Sequence, residues 1–146
     1  MTADPYDLAR FVTAQAGVVD QTLEELREGR KRSHWMWFVF PQLKGLGRSP
    51  MALHFGLEDL AEATAYAVHP VLGPRLERSV AAVQASPARD LHALFGSPDD
   101  LKFRSSMTLF AIVAPEGPYQ EALNRWCDGE ADPQTLRLLE GGGSAG

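Results

Sequence analysis

A chain of 146 residues with a net charge of −5 and one cysteine fits a single domain, large enough to close its own core without disulfides or metal. The acidic balance excludes a general nucleic-acid binder, which would show a basic surplus. Asp4 and Asp7 stand where an export signal would be basic and then apolar, no apolar run approaches membrane-spanning length, and the lone Cys127 has no partner thiol, so a cytoplasmic protein away from membranes is expected.

Helix signals dominate the chain from its start. A Ser or Asp before Pro offers an N-cap oxygen and then a residue whose fixed φ suits the first helical position, and five such pairs occur: Asp4-Pro5, Ser49-Pro50, Ser86-Pro87, Ser97-Pro98 and Asp132-Pro133. A helix over about 18–30 should stop at Gly29. There follows a window, 27–48, in which Arg27, Arg30, Lys31, Arg32, Lys44 and Arg48 face only Glu28, a local charge of +5 against −10 for the remainder. Such a window reads either as a solvated basic helix end or as a site for a small anion.

Inside it lies His34-Trp35-Met36-Trp37-Phe38-Val39-Phe40-Pro41-Gln42, an apolar cluster bearing indole, imidazole and amide groups that need partners if buried. The segment is a core plug or a pocket wall, and spacing leaves both open. Gly45-Leu46-Gly47 reads as a turn before Ser49-Pro50, because it lacks the third glycine and the preceding strand of a dinucleotide site. Further helices are expected at about 58–68, ending near His69-Pro70, and at 73–85, with Gly56, Gly96 and Gly129 as stops. After Ser86, Leu91, Leu94 and Phe95 keep helical spacing.

The helix from Pro98 to about 114 is the least ordinary. Asp99 and Asp100 suit its positive end, and its second half, Met107 to Val113, is apolar nearly all round, as in a central helix wrapped by others. Asp99, Lys102 and Ser106 share one stripe, readable as an ion pair with back-bonding serines or as a polar lining. Acidic neighbours would hold Lys102 charged, which disfavours Schiff-base chemistry. Helices at about 117–127 and from Pro133 complete an all-α single-domain, multi-helix globule over 4–140, before a Gly-rich tail, 141–146, that is flexible by composition. His34, His54, His69 and His92 form no i, i+4 pair and no thiolate is near, so neither metal nor cofactor is expected.

Taken together, the segment from His34 to Gln42, Gly45-Leu46-Gly47, Tyr66, His69-Pro70, Leu72-Gly73-Pro74-Arg75-Leu76, Phe95-Gly96, Asp99-Asp100-Leu101-Lys102 and Ser105-Ser106-Met107-Thr108-Leu109-Phe110 resemble the bacterial domain-of-unknown-function 1810 family over about 4–140. The resemblance implies an all-α fold with one helix surrounded by the rest, and supplies no activity. It also implies that His34, Trp35, Gln42, Asp99, Lys102 and Ser106 form one neighbourhood. With the basic window, that neighbourhood would suit a small anionic, nucleotide-like ligand bound by charge and stacking. The alternatives are a protein-interaction module with no ligand site, and a hydrolase of a nucleotide-type glycosidic bond using Asp99 or Asp100.

Overall fold

The computed structural model describes residues 4–145, with side chains for 4–140. Ten helices are placed among them: α1 (Ala9–Gln15), α2 (Val19–Glu28), α3 (Met36–Val39), α4 (Pro50–Phe55), α5 (Leu60–Val68), α6 (Leu72–Gln84), α7 (Leu91–Phe95), α8 (Asp99–Val113), α9 (Tyr119–Trp126) and α10 (Pro133–Ala145). The described residues contain no strand, only an isolated parallel bridge between Leu43 and Leu57. The all-α expectation holds. The stretch 141–146 falls on residues whose side chains lie outside the described set, and α10 is bounded at Ala145.

Two of the five Ser/Asp-Pro pairs cap as their chemistry predicts. Ser49 Oγ accepts from the Ala52 N–H with Pro50 at the first helical position, and Asp132 does the same for Thr135 at the start of α10. The other three act differently. Asp4 accepts from the N–H groups of Leu8 and Ala9 ahead of α1, and Ser86 closes a short turn onto Ala88 while Asp90 caps α7. Ser97 caps nothing: the first N–H groups of α8 are met by the carbonyls of Gly96 and Pro98 and by the Asp100 carboxylate, so Pro98 flanks the helix and Asp99 opens it.

Gly29 ends α2 in the left-handed region at φ +88°, a conformation that would strain any β-carbon. Gly56 is required for closeness instead. A β-carbon there would lie 2.6 Å from the Ala52 carbonyl oxygen and 2.8 Å from Lys44 Cα, where the chain after α4 passes beside residues 42–44.

Helix α8 packs against α5, α7, α9 and α10, and buries Phe103, Met107, Leu109 and Phe110. Around its first turns Phe103 meets Phe40 and Phe95, at ring-centroid separations of 5.1 and 5.2 Å, with Trp35 beyond them. Around its middle Phe110 meets Tyr66 and Tyr119, and Tyr66 meets Phe11. Each such aromatic pair adds about 0.5–1.5 kcal/mol beyond area burial, so α8 is pinned at two levels. Its sheath is incomplete, since Leu101 and Ile112 are exposed on its outer side.

Candidate functional site

The aromatic loop is fixed to α2 by a single carboxylate. Glu25, fully buried, accepts from the backbone N–H of Arg32 at 2.8 Å and Ser33 at 3.1 Å, from the Trp35 indole and the Gln21 amide at 3.0 Å each, and from the Ser33 hydroxyl. Burial alone would push its carboxyl up, but the donors, Ser33 foremost, outweigh it and hold the pKa at about 2. Lys31 N–H donates to the Leu94 carbonyl at 2.7 Å, tying the loop also to α7.

This settles the ambiguity of the aromatic segment residue by residue. Trp35 is 2% exposed, its indole N–H is satisfied by Glu25, and it packs on Phe40 and Phe95 as a core residue. Met36, Phe38, Val39 and Phe40 are buried with it. Trp37 occupies the outward position of the short helix α3 and is only partly buried.

Trp37 forms one wall of an open groove of about 320 Å³, completed by Gln42, Leu46, Gly47, Pro98, Leu101, Lys102, Ser105, Asp132 and Gln134. The Lys102 ammonium lies 3.6 Å from the centroid of the Trp37 ring. Asp99 holds that lysine at 3.2 Å and Lys31 at 3.0 Å. The first turn of α8 is thus joined to the aromatic loop through two lysines and one carboxylate.

Gln42 is positioned through its backbone, whose carbonyl accepts from Leu57 N–H at 2.9 Å beside the Leu43–Leu57 bridge. It is 8% exposed, and its side-chain amide makes no hydrogen bond among the described residues. The residue is nearly buried, but its amide atoms are not among the fully buried unpaired ones, so the amide meets the open groove with its two donors and its acceptor available to a ligand. Across from it Asp132 receives Ser105 Oγ at 3.1 Å and the Thr135 hydroxyl at 2.6 Å.

Of the six residues expected to share a neighbourhood, Gln42 and Lys102 line the groove and Asp99 holds Lys102 from behind. Three are placed otherwise. Trp35 is core, two positions away from the tryptophan that faces the groove. His34 is exposed and outside the groove's lining. Ser106 is fully buried with its hydroxyl unpaired, while its neighbour Ser105 reaches the groove, because the polar stripe turns inward at that level of α8.

The basic window does not converge either. Arg32 pairs with Glu28, Lys44 with Glu58 and Lys31 with Asp99, so the groove's own cation is Lys102. Asp100 turns to the other side of α8, 3.6 Å from His92, and leaves Asp132 as the carboxylate lining the groove. The opposed pair of carboxylates that glycoside hydrolysis uses is not assembled there. No group of three or more metal-ligating side chains occurs among the described residues, and no described helix is long and apolar enough to cross a membrane.

Buried positions 35, 36, 38 and 39 form one face of a helical turn, which leaves Trp37 outside, and the sequence does not mark it because all five residues are large and apolar. Asp132 was legible as the cap of α10 but not as a groove residue, and Glu25 carried no signal, because most of its partners lie in the irregular segment 32–35.

Residues 5–139 match the family described as protein of unknown function DUF1810. The fold is similar to that of a conserved hypothetical protein, Rv1873 from Mycobacterium tuberculosis, whose crystal structure gives a TM-score of 0.91 at 50% identity, covering 94% of this chain and 99% of that one. No curated protein shows significant similarity to the chain.

Proposed function

We propose, for a chain that belongs to the DUF1810 family, that it is a small-molecule-binding domain and that the Trp37–Lys102 groove receives a flat polar ring carrying one anionic group, as in a nucleotide. The observation that carries this reading is the Gln42 amide, which belongs to a residue 8% exposed, lines the groove and has no hydrogen bond among the described residues. An amide presents donor and acceptor side by side, which matches the hydrogen-bonding edge of a nucleobase. Trp37 supplies aromatic surface next to it, and Lys102 is the cation for the anionic group.

Packing of Trp35 by itself favours the rival reading, an interaction module whose aromatic segment is core. What favours ligand binding is the nearby residue, Trp37, and the unpaired amide it accompanies.

Calorimetric titration with the four ribonucleoside 5′-monophosphates tests the proposal. At least one should bind, and Gln42→Ala or Lys102→Ala should each weaken it about tenfold, roughly 1.4 kcal/mol, while His34→Ala leaves it unchanged. Binding that survives both groove variants, or no binding by any of the four, overturns the assignment.

A further inference from the structure

Asp132 is both the N-cap of α10 and a groove-lining carboxylate. Its Oδ2 receives the Ser105 hydroxyl at 3.1 Å, the Thr135 N–H at 3.0 Å and the Thr135 hydroxyl at 2.6 Å, and its own N–H donates to Thr108 Oγ1 at 2.8 Å. Both its backbone and its side chain are therefore fixed by α8 and α10. Its Oδ1 has no hydrogen bond, and the carboxylate no ion pair, among the described residues.

A carboxylate oxygen only accepts, so whatever meets Oδ1 must donate. A neutral donor suits it best, because Lys102 in the same groove would repel a cationic amine. Oδ1 offers two lone pairs, enough for both hydroxyls of a vicinal diol. Hydrogen bonds to a charged acceptor are the stronger kind, and Asp132 needs no reorganisation to make them.

We propose that Asp132 is a specificity-determining residue that reads a sugar diol, so that the groove takes ribose-bearing rather than deoxygenated ligands; this rests on the groove being a nucleotide-type site. Gln42, a residue 8% exposed, lines the same groove with its amide free of hydrogen bonds among the described residues, and is a second group left for a ligand. The division of labour is then the base edge at Gln42, the anionic group at Lys102 and the diol at Asp132.

The test compares the tightest-binding ribonucleoside 5′-monophosphate with its 2′,3′-dideoxy counterpart on the unaltered protein, then on Asp132→Asn. The diol ligand should bind the parent at least tenfold more tightly than the dideoxy ligand. Asp132→Asn should shrink that ratio toward one, and a far-UV circular-dichroism melt like the parent's reports that the variant is folded. Equal affinity of the parent for the two ligands overturns the diol assignment and leaves the groove standing. A ratio unchanged in Asp132→Asn removes Asp132 as its source. Failure of both ligands to bind the parent overturns the groove reading itself, and this inference with it.

Discussion

Two grooves flank Leu101 on the outer side of α8, and they are nearly equal in size, about 320 Å³ on the Trp37 side and about 290 Å³ on the Trp126 side. Each has a tryptophan, a cation and acidic groups. They differ in what their tryptophan, cation and neutral polar side chains already hold. On the Trp126 side the indole N–H donates to Gln84 Oε1 at 2.8 Å, and Arg104 is held by the carbonyls of Glu130 and Ala131 at 2.9 and 3.0 Å. Burial pushes the Cys127 thiol up, away from nucleophilic use. On the Trp37 side the Gln42 amide and one oxygen of Asp132 are unclaimed. Volume does not separate the two grooves, whereas the free amide does: no asparagine or glutamine lines the Trp126 groove.

The strongest way to break the contrast is to release the loop that carries Trp37. Glu25→Ala removes the acceptor of five hydrogen bonds and should cost about 3 kcal/mol or more, on the order of 10 °C in Tm, with ligand binding lost alongside. Thermal denaturation checks this, and a Tm within 2 °C of the parent would show that Glu25 does not hold the loop. The same carboxylate predicts a pH dependence. Its folded pKa is depressed to about 2 from an ordinary 4.5, so its stabilisation is complete above the ordinary value and fades as pH falls from there through about 2. Denaturant titrations between pH 6 and pH 2.5 should show that decline, and Glu25→Gln should flatten it.

A sharper comparison substitutes one residue in each groove. Gln42→Ala should weaken ligand binding about tenfold, whereas Cys127→Ala should leave the affinity unchanged by calorimetry, since the Trp126 groove has no part in it. Equal losses from both would merge the two grooves into one site. The smallest effect is expected at Ser106, whose hydroxyl is buried without a partner. Ser106→Ala removes that polar atom and should change unfolding free energy by no more than about 0.5 kcal/mol or raise it, with binding unaffected. A loss above 2 kcal/mol would show that the hydroxyl has a partner in solution.

Much of the fold was written locally. Apolar spacing, Gly29 as a left-handed stop and the Ser49 and Asp132 caps depend on residues within a turn of one another, and the expected helices 18–30, 58–68, 73–85 and 117–127 correspond to α2, α5, α6 and α9. The caps expected at Ser86 and Ser97 failed for the complementary reason. Asp90 was a competing local acceptor for α7, and the start of α8 found its acceptors in the Gly96 and Pro98 carbonyls. Lys102 and Gln42 were legible as polar residues bordering apolar runs. Their meeting was not, because about 60 residues separate them.

The sequence alone determined an acidic, single-domain, all-α chain organised around the helix of residues 99–113, since periodicity, capping and charge balance act over a few residues and need no tertiary partner. Only the tertiary structure decided which tryptophan faces outward. That choice depends on the rotational phase at which the chain enters α3, and the phase is set by the distant Glu25 carboxylate gripping residues 32–35. The same holds for the groove: its amide, lysine and carboxylate come from three parts of the chain, and nothing short of folding brings them within reach of one ligand.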